Sequence, residues 1–395
     1  MQGKRPLTRF KGADSLLSSL VSIGAGLLVG LLLLLIFNSS KALYGFGNIL
    51  FSGVRSTDRF AKVLYTAAPL LMTGLSVGFA FKTGLFNIGA SGQYTVGAVL
   101  ALVGAILWQL PWYLCLLLAI VGGALWGAIP GLCKALFNVN EVITAIMFNW
   151  IGVFASNLFL YNSPMMLASA WGAINKDRTG ALEAANPGAI LPKLGMDKLM
   201  NSNRMNIAIF IAIGFAFLMW FILQKTTFGY ELKACGYNRN ASRYAGINDK
   251  RNIVLSMIIA GALSGLGGGL YYLSGTAQFT LGKQLLTMGF SGIPIALLAA
   301  SHPLGTILSS LFIGHIQVGG EALQPEFAKE IIDIIIAAII YLSAFSLLMR
   351  ELIGGLRRRR AKGQAVEADL GDIPPPLLDA EEEETIDLGK KENTI

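Results

Sequence analysis

Lys82-Thr83-Gly84-Leu85-Phe86-Asn87-Ile88-Gly89-Ala90-Ser91-Gly92-Gln93 lies between two apolar segments, and its reading decides the fold. Three glycines and four amide or hydroxyl side chains (Thr83, Asn87, Ser91 and Gln93) are out of place in a helix that faces lipid. In hydrocarbon each unsatisfied backbone polar group costs several kcal/mol, so irregular backbone survives only where protein or a water-filled cavity surrounds it. The stretch reads as a break inside a membrane helix that faces a pore or a helix bundle. A tight loop at the membrane interface fits the same residues, because glycine and small polar residues also mark turns.

Composition supports the membrane reading on either side of this stretch. Of 395 residues, 54% are hydrophobic and 14% charged, with a mean hydropathy of +0.60. Soluble domains carry about 25% charge. The net charge of +8 raises the question of nucleic acid. The cations instead cluster in short segments beside apolar runs, as the positive-inside rule requires of cytoplasmic loops. Cys115, Cys133 and Cys235 form neither metal-ligand spacing nor a disulfide framework.

Outward from the break, apolar runs mark about ten spans, at 15–37, 61–81, 94–110, 111–136, 142–161, 205–223, 252–274, 288–301, 304–318 and 331–349. A basic segment, 1–14, precedes them. The first run is too long for a signal peptide and reads as an uncleaved span with the N-terminus in the cytoplasm. This topology puts the proline-bearing segment 162–204 outside and the basic segment 225–251 inside. Runs 288–301 and 304–318 are shorter than the roughly 20 residues of a full span and read as broken or half-crossing helices. Gly123, Gly127 and Gly131 share one helix face, as do Gly261, Gly265 and Gly269; small residues at this spacing let helix backbones approach closely.

The two halves offer an inverted repeat of five spans each. At an offset of about 190 residues, Gly74 and Gly78 fall on Gly265 and Gly269, and the break around Asn87 falls near 288–294. Paired glycine- or proline-interrupted segments are the best sequence pointer to a translocation site. After 350 the chain becomes basic, then proline-bearing and acidic. Residues 351–395 read as a disordered cytoplasmic tail.

Reactive chemistry is sparse. No Gly-x-x-x-x-Gly-Lys-Ser/Thr loop occurs, and no Ser/His/Asp or paired-carboxylate constellation suggests itself. Glu141 and Asp333 stand near span ends, and a proton- or sodium-driven carrier is expected to place carboxylates deeper. His315 reads either as a proton relay or as a hydrogen-bonded packing residue. In the basic segment, Asn238 suits a helix N-cap and Gly246 a helix stop, with Arg239 and Arg243 on one face between them. Such a cationic helix suits docking into a partner's groove, and a solvated loop is the alternative.

Four stretches, taken together, resemble the permease subunits of bacterial ABC importers. They are Gly84 to Gln93, Glu141 to Asn149, Phe228 to Asn238 with Tyr244 to Ile247, and His302 to Gly305. The branch is the one shared by nucleoside, ribose-type sugar and branched-chain amino-acid systems. Within it the chain is most similar to the nucleoside (basic membrane lipoprotein-linked) permeases, over about residues 15–350. The family's usual glutamate is Ser91 here, and its late acid is Ser291. These departures put substrate choice in question if the acids contact substrate, and matter less if they cap a helix.

The resemblance implies a non-enzymatic, multi-pass permease subunit of the bacterial plasma membrane, with both termini cytoplasmic, that imports nucleosides. Simple sugars, furanose signals and amino acids are the rival substrates within the family. An ion-coupled secondary transporter is the rival class. The resemblance further implies a second homologous permease, two ATPase subunits holding ATP and magnesium, and an extracellular substrate-binding lipoprotein, with membrane lipid around the chain and no nucleic acid. This chain itself is expected to bind no metal or cofactor. The implied substrate path runs along Asn87, Gly89, Ser91, Gln93 and Asn149, with Phe290 and Ser291 opposite. Amides and hydroxyls hydrogen-bond a ribose or base without adding charge. The implied ATPase-coupling residues are Gly229, Glu231, Gly236, Arg239, Arg243 and Gly246.

Overall fold

The computed structural model describes residues 11–174 and 176–345. The acidic tail, most of the 1–14 segment and the end of the last expected span lie outside the described residues. Sixteen α-helices account for the architecture among the described residues. They are α1 (Lys11–Phe37), α2 (Ala42–Phe51), α3 (Thr57–Lys82), α4 (Ala90–Ile106), α5 (Trp112–Phe137), α6 (Glu141–Tyr161), α7 (Leu182–Ala185) and α8 (Met196–Met200). The second half holds α9 (Ala208–Lys225), α10 (Thr227–Tyr237), α11 (Arg239–Tyr244), α12 (Asp249–Tyr272), α13 (Thr287–Phe290), α14 (Gly292–Leu298), α15 (Gly305–Glu321) and α16 (Lys329–Ala344). No β-strand occurs among the described residues, only two isolated bridges, Leu167 with Thr179 and Arg178 with Thr280.

Among the described residues, six helices are long and apolar enough to cross a membrane: α1, α3, α5, α6, α9 and α12. Six of the roughly ten expected spans are thus matched by helices of full crossing length. Shorter helices stand at the other expected spans: α4 and α15 with 17 residues each and α16 with 16. The expected span at 288–301 is split into α13 and α14, of four and seven residues. The chain also forms α2, in a stretch to which the hydropathy pattern assigns no span.

Of these six, α3 and α12 are the most enclosed, whereas α1, α6 and α9 turn most of their apolar surface outward. The central pairing is α12 on α5, α4 and α3. It is made possible by glycine. Side chains built at Gly123 would lie 2.7 Å from Gly265 Cα, and at Gly261 2.9 Å from Gly127 Cα, so the two backbones touch. Close backbone approach of this kind substitutes for the hydrophobic force that lipid cannot supply. A second apolar cluster joins α1, α2, α15 and α16 through Leu34, Ile49, Ile316, Ile335 and Ile339. Between the clusters, α3 also packs on α14 and α15.

The described residues of the 162–204 segment are bonded to the helix ends. Asn186 Nδ2 donates to Ala105 O (2.9 Å) and Leu110 O (3.0 Å), capping the chain where α4 ends. Leu191 N donates to Leu273 O, and Thr179 N to Phe279 O, both at 2.9 Å. His315 Nε2 donates to Leu50 O at 2.8 Å, which makes it a packing residue tying α15 to α2.

Candidate functional site

The decisive stretch is a buried turn between two separate helices. Gly84 N bonds Phe81 O and Leu85 N bonds Ala80 O, with Gly84 at φ +73°, which is the Schellman stop of α3. Only glycine takes this left-handed position without strain. Thr83 Oγ1 bonds Ala80 O (2.9 Å) and meets the Ser256 hydroxyl of α12.

The amides then lock the turn. Asn87 Nδ2 donates to Gln93 Oε1 (2.8 Å) and to Ser76 Oγ (3.0 Å), and Gln93 Nε2 returns a bond to Asn87 Oδ1 (3.1 Å). Ser76 Oγ in turn donates to Ala260 O at 2.6 Å. From α6, Asn149 Oδ1 accepts Gly92 N (2.8 Å), an N–H of the first turn of α4 that has no partner within its helix, while its Nδ2 donates to Ile88 O (3.0 Å). Asn87, Gly89, Ser91, Gln93 and Asn149 are all buried. Ser91 Oγ donates to Leu286 O (2.9 Å), which brings the start of α13 onto α4. Gly289 is seated so closely on Ser91 that a side chain there would lie 2.8 Å from Ser91 Cβ. Ser291 is half-buried and returns its hydroxyl to Thr287 O (3.1 Å), and Phe290 is half-buried beside it.

The structure thus brings the two interrupted segments together and gives their polar atoms protein partners. The sequence does not reveal this satisfaction. Asn149 in particular reads from sequence as a polar residue in a span, but in the fold it caps another helix.

The basic segment forms the α10–α11 hairpin. Thr226 Oγ1 accepts Gly229 N (3.1 Å) and Asn238 Oδ1 accepts Ala241 N (3.0 Å), so both helices start on capping side chains. Gly246 follows α11 at φ +82° and is exposed. Arg239 Nε (2.6 Å) and Arg243 Nη2 (2.8 Å) both donate to Asp249 Oδ2 in the first turn of α12. Asp249's carboxylate also pushes Arg243 further up, so it stays charged. Glu231 accepts from Asn252 Nδ2 at 3.2 Å. These charged groups, read from sequence as a partner-facing set, also bind the hairpin to the membrane helix beneath it. The surface turned outward is aromatic: Tyr237 and Tyr244 are 92% and 94% exposed, with Tyr230 alongside. A groove of about 560 Å³ between α10 and α11 is lined by Tyr230, Glu231, Tyr237 and Ile247. Those tyrosines are absent from the sequence-derived site, although three aromatics in a basic loop are the signal that reveals them.

The hairpin and the buried turn touch. A side chain built on Gly236 would lie 3.1 Å from Gly84 N and from Lys82 C, with Lys82 O nearer still. Beside this junction is a cavity of about 450 Å³ whose lining includes Lys82, Lys233, Tyr237 and His302. Burial, then Lys82, holds the His302 imidazole below its ordinary range. Gly229 is equally confined: a side chain built there would lie 2.7 Å from Leu223 Cα at the α9–α10 corner.

The polar turn, the opposing broken helix and the interior-anchored hairpin all lie within a stretch that matches known proteins in sequence. The family described as branched-chain amino acid transport system / permease component matches residues 59–344. The chain belongs to this permease family. It is 35% identical over 364 residues to the guanosine ABC transporter permease protein NupP of Bacillus subtilis, covering 89% of this chain and 99% of that one. It is 34% identical over 342 residues to the nucleoside ABC transporter permease protein NupB of Lactococcus lactis, covering 85% and 92%. The glucose ABC transporter permease protein TsgB13 of Haloferax volcanii is 29% identical over 323 residues, covering 79% and 83%. No solved structure matches the chain. As a family member it is a multi-pass membrane permease.

Proposed function

We propose that this permease moves nucleosides into the cell as one of two membrane subunits of an ATP-driven importer. The observation that carries the reading is the similarity to the guanosine and nucleoside permeases over nearly their whole lengths, break and hairpin included. A second permease subunit is supported by relatives that occur as pairs. The guanosine permease protein NupQ and the nucleoside permease protein NupC also match, at 29% and 26%, each from the same organism as NupP or NupB. Two ATPase subunits docking on the α10–α11 groove, and an extracellular lipoprotein delivering substrate, complete the assembly. The hairpin then faces the cytoplasm, the 162–204 segment faces outward, and both termini are cytoplasmic.

An inverted repeat is supported by the order of elements. In this reading α1, α3, α4, α5 and α6 pair in order with α9, α12, α13–α14, α15 and α16, and α5 packs on α12 as α15 packs on α3. The α4 contacts with α5 and α6 likewise have counterparts in α14 with α15 and α16. In this reading the substrate passes where α4 and α13 meet, near Ser91, Phe290 and Ser291, and movement of α4 changes which polar groups face the path.

The test is uptake of labelled guanosine, adenosine, uridine and ribose by cells carrying the permease with its partner subunits. It is repeated with the phosphate-binding lysine of the ATPase replaced. Nucleoside uptake lost on that replacement is the expected result. Uptake of ribose alone assigns the sugar branch, and uptake that survives replacement but collapses with the proton gradient overturns the ATP-driven reading.

A further inference from the structure

At the end of the membrane domain opposite the hairpin lies a cavity of about 600 Å³. That volume is within the roughly 300–1,000 Å³ of small-molecule sites. Its walls come from the start of α3, the end of α12, and the segments 203–204 and 276–286. Tyr65 and Tyr271 are stacked in it with ring centroids 5.3 Å apart, and Tyr272 meets Tyr271 edge-on at 5.0 Å. Interface tyrosines ordinarily face the headgroups. These line an internal hollow instead.

The polar groups around the rings are amides and hydroxyls. Gln278 makes no side-chain hydrogen bond among the described residues. Asn203 uses its carbonyl oxygen to accept from Lys193, which leaves its NH2 donors unused. Ser274 Oγ holds the Tyr65 hydroxyl at 3.5 Å, which fixes that ring. The two cations on the wall are neutralised, Lys62 by Glu321 and Arg204 by Asp58 (3.6 Å). The hollow therefore suits a neutral, flat ligand with donors and acceptors on its edge. A zwitterionic amino acid would meet no unpaired charge, and a bare sugar would leave the aromatic faces with less to cover.

Beneath the floor is a buried group that the turn network does not use. The Tyr94 hydroxyl is enclosed and has no hydrogen-bond partner. Its ring lies against Gly267, one helical turn below Tyr271 on the same face of α12. Three residues before it on α4, Ser91 bonds Leu286, which also lines the cavity. The hollow is thus joined through one wall residue to the interrupted helices.

We propose that this cavity is the entry site of the permease, where a nucleobase stacks on the Tyr65–Tyr271 pair with its edge on Gln278 and Asn203. The Tyr94 hydroxyl is the next polar group the substrate meets. This assignment rests on the nucleoside reading above and specifies its first contact.

The test uses the assembled transporter in proteoliposomes, with guanosine as probe and ribose as comparison. Base stacking on an aromatic ring is worth enough that Tyr271→Leu lowers uptake efficiency about fivefold or more, mainly through KM, whereas Tyr271→Phe stays near wild type at equal membrane level. On the otherwise unchanged chain, Thr276→Cys at the cavity rim is labelled by a membrane-impermeant maleimide over the wild-type background. Guanosine slows this labelling and ribose does not. Equal uptake by the two Tyr271 variants, absence of protection, or equal protection by ribose overturns the site while nucleoside import by the wild type still stands. Failure of the wild type to import any nucleoside overturns both readings together.

Discussion

Replacing Gly236 with alanine tests whether the hairpin drives the buried turn. The added methyl would lie 3.1 Å from Gly84 N and Lys82 C and nearer to Lys82 O. Unbonded carbon contacts are optimal near 3.5–4.0 Å, so Gly84 N and Lys82 C must recede by roughly 0.5–1 Å and Lys82 O by more. The obstacles are backbone atoms held by the Gly84 and Leu85 bonds to α3, so no flexible side chain can swing away. Overpacking of this kind costs about 1–3 kcal/mol. That cost shifts a two-state balance by about five- to 150-fold, since about 1.4 kcal/mol is a factor of ten. In reconstituted transporter, Gly236→Ala should lower nucleoside moved per ATP hydrolysed by about an order of magnitude. ATP hydrolysis should persist, because the α10–α11 groove is untouched. Gly214→Ala on α9 is the control: no atom lies within 4 Å of the added methyl. If Gly236→Ala keeps the wild-type ratio of transport to hydrolysis, the contact carries no motion and the reasoning fails.

Asn149→Ala should lower stability by about 1–3 kcal/mol, because it strands Gly92 N–H and Ile88 C=O in the interior; thermal unfolding in detergent reads this loss. Gly261→Ala should reduce the yield of folded protein sharply, since Gly123 and Gly127 leave its methyl no room, and size-exclusion chromatography checks it. The arginine pair carries an ordering. Removing both Arg239 and Arg243 strands the Asp249 carboxylate, which is 6% exposed, whereas Asp249→Ala leaves arginines that reach solvent. The double arginine variant should therefore unfold at the lower temperature. Gly84→Ala should cost about 1–2 kcal/mol from the left-handed backbone alone, measured by the same unfolding assay.

Much of the fold was legible before any coordinates. The charge depletion, the apolar runs and the Gly123/Gly261 faces all report on short-range pattern, and most helices formed where that pattern put them, α2 and the split at α13–α14 excepted. The caps at Asn238 and Gly246 were legible for the same reason. The number of full crossings was not. Hydropathy counts α4, α13–α14, α15 and α16 as spans, but α4, α14 and α15 are short helices packed against α3, α5 or α12, and α16 is a short helix packed on α1, α14 and α15. At the candidate site, the positions of Asn87, Ser91, Gln93 and Asn149 were picked out by their polarity. Their bonding was not, because an amide in an apolar run reads the same whether it faces a path or caps a neighbour.

The sequence by itself determined an all-helical membrane chain, interrupted at 82–93 and near 288–294, with no reactive constellation of its own. Only the tertiary structure decided which polar atoms those interruptions satisfy. Gly92 finds Asn149 57 residues away, and Ser91 finds Leu286 195 residues away. Likewise Gly236 meets Lys82 and Gly84 only because α10 docks beneath α3. Propensities and caps act within one helical turn, so sequence carries them directly. The partner of a buried amide is set by helix docking, and in lipid each such group must find one inside the protein.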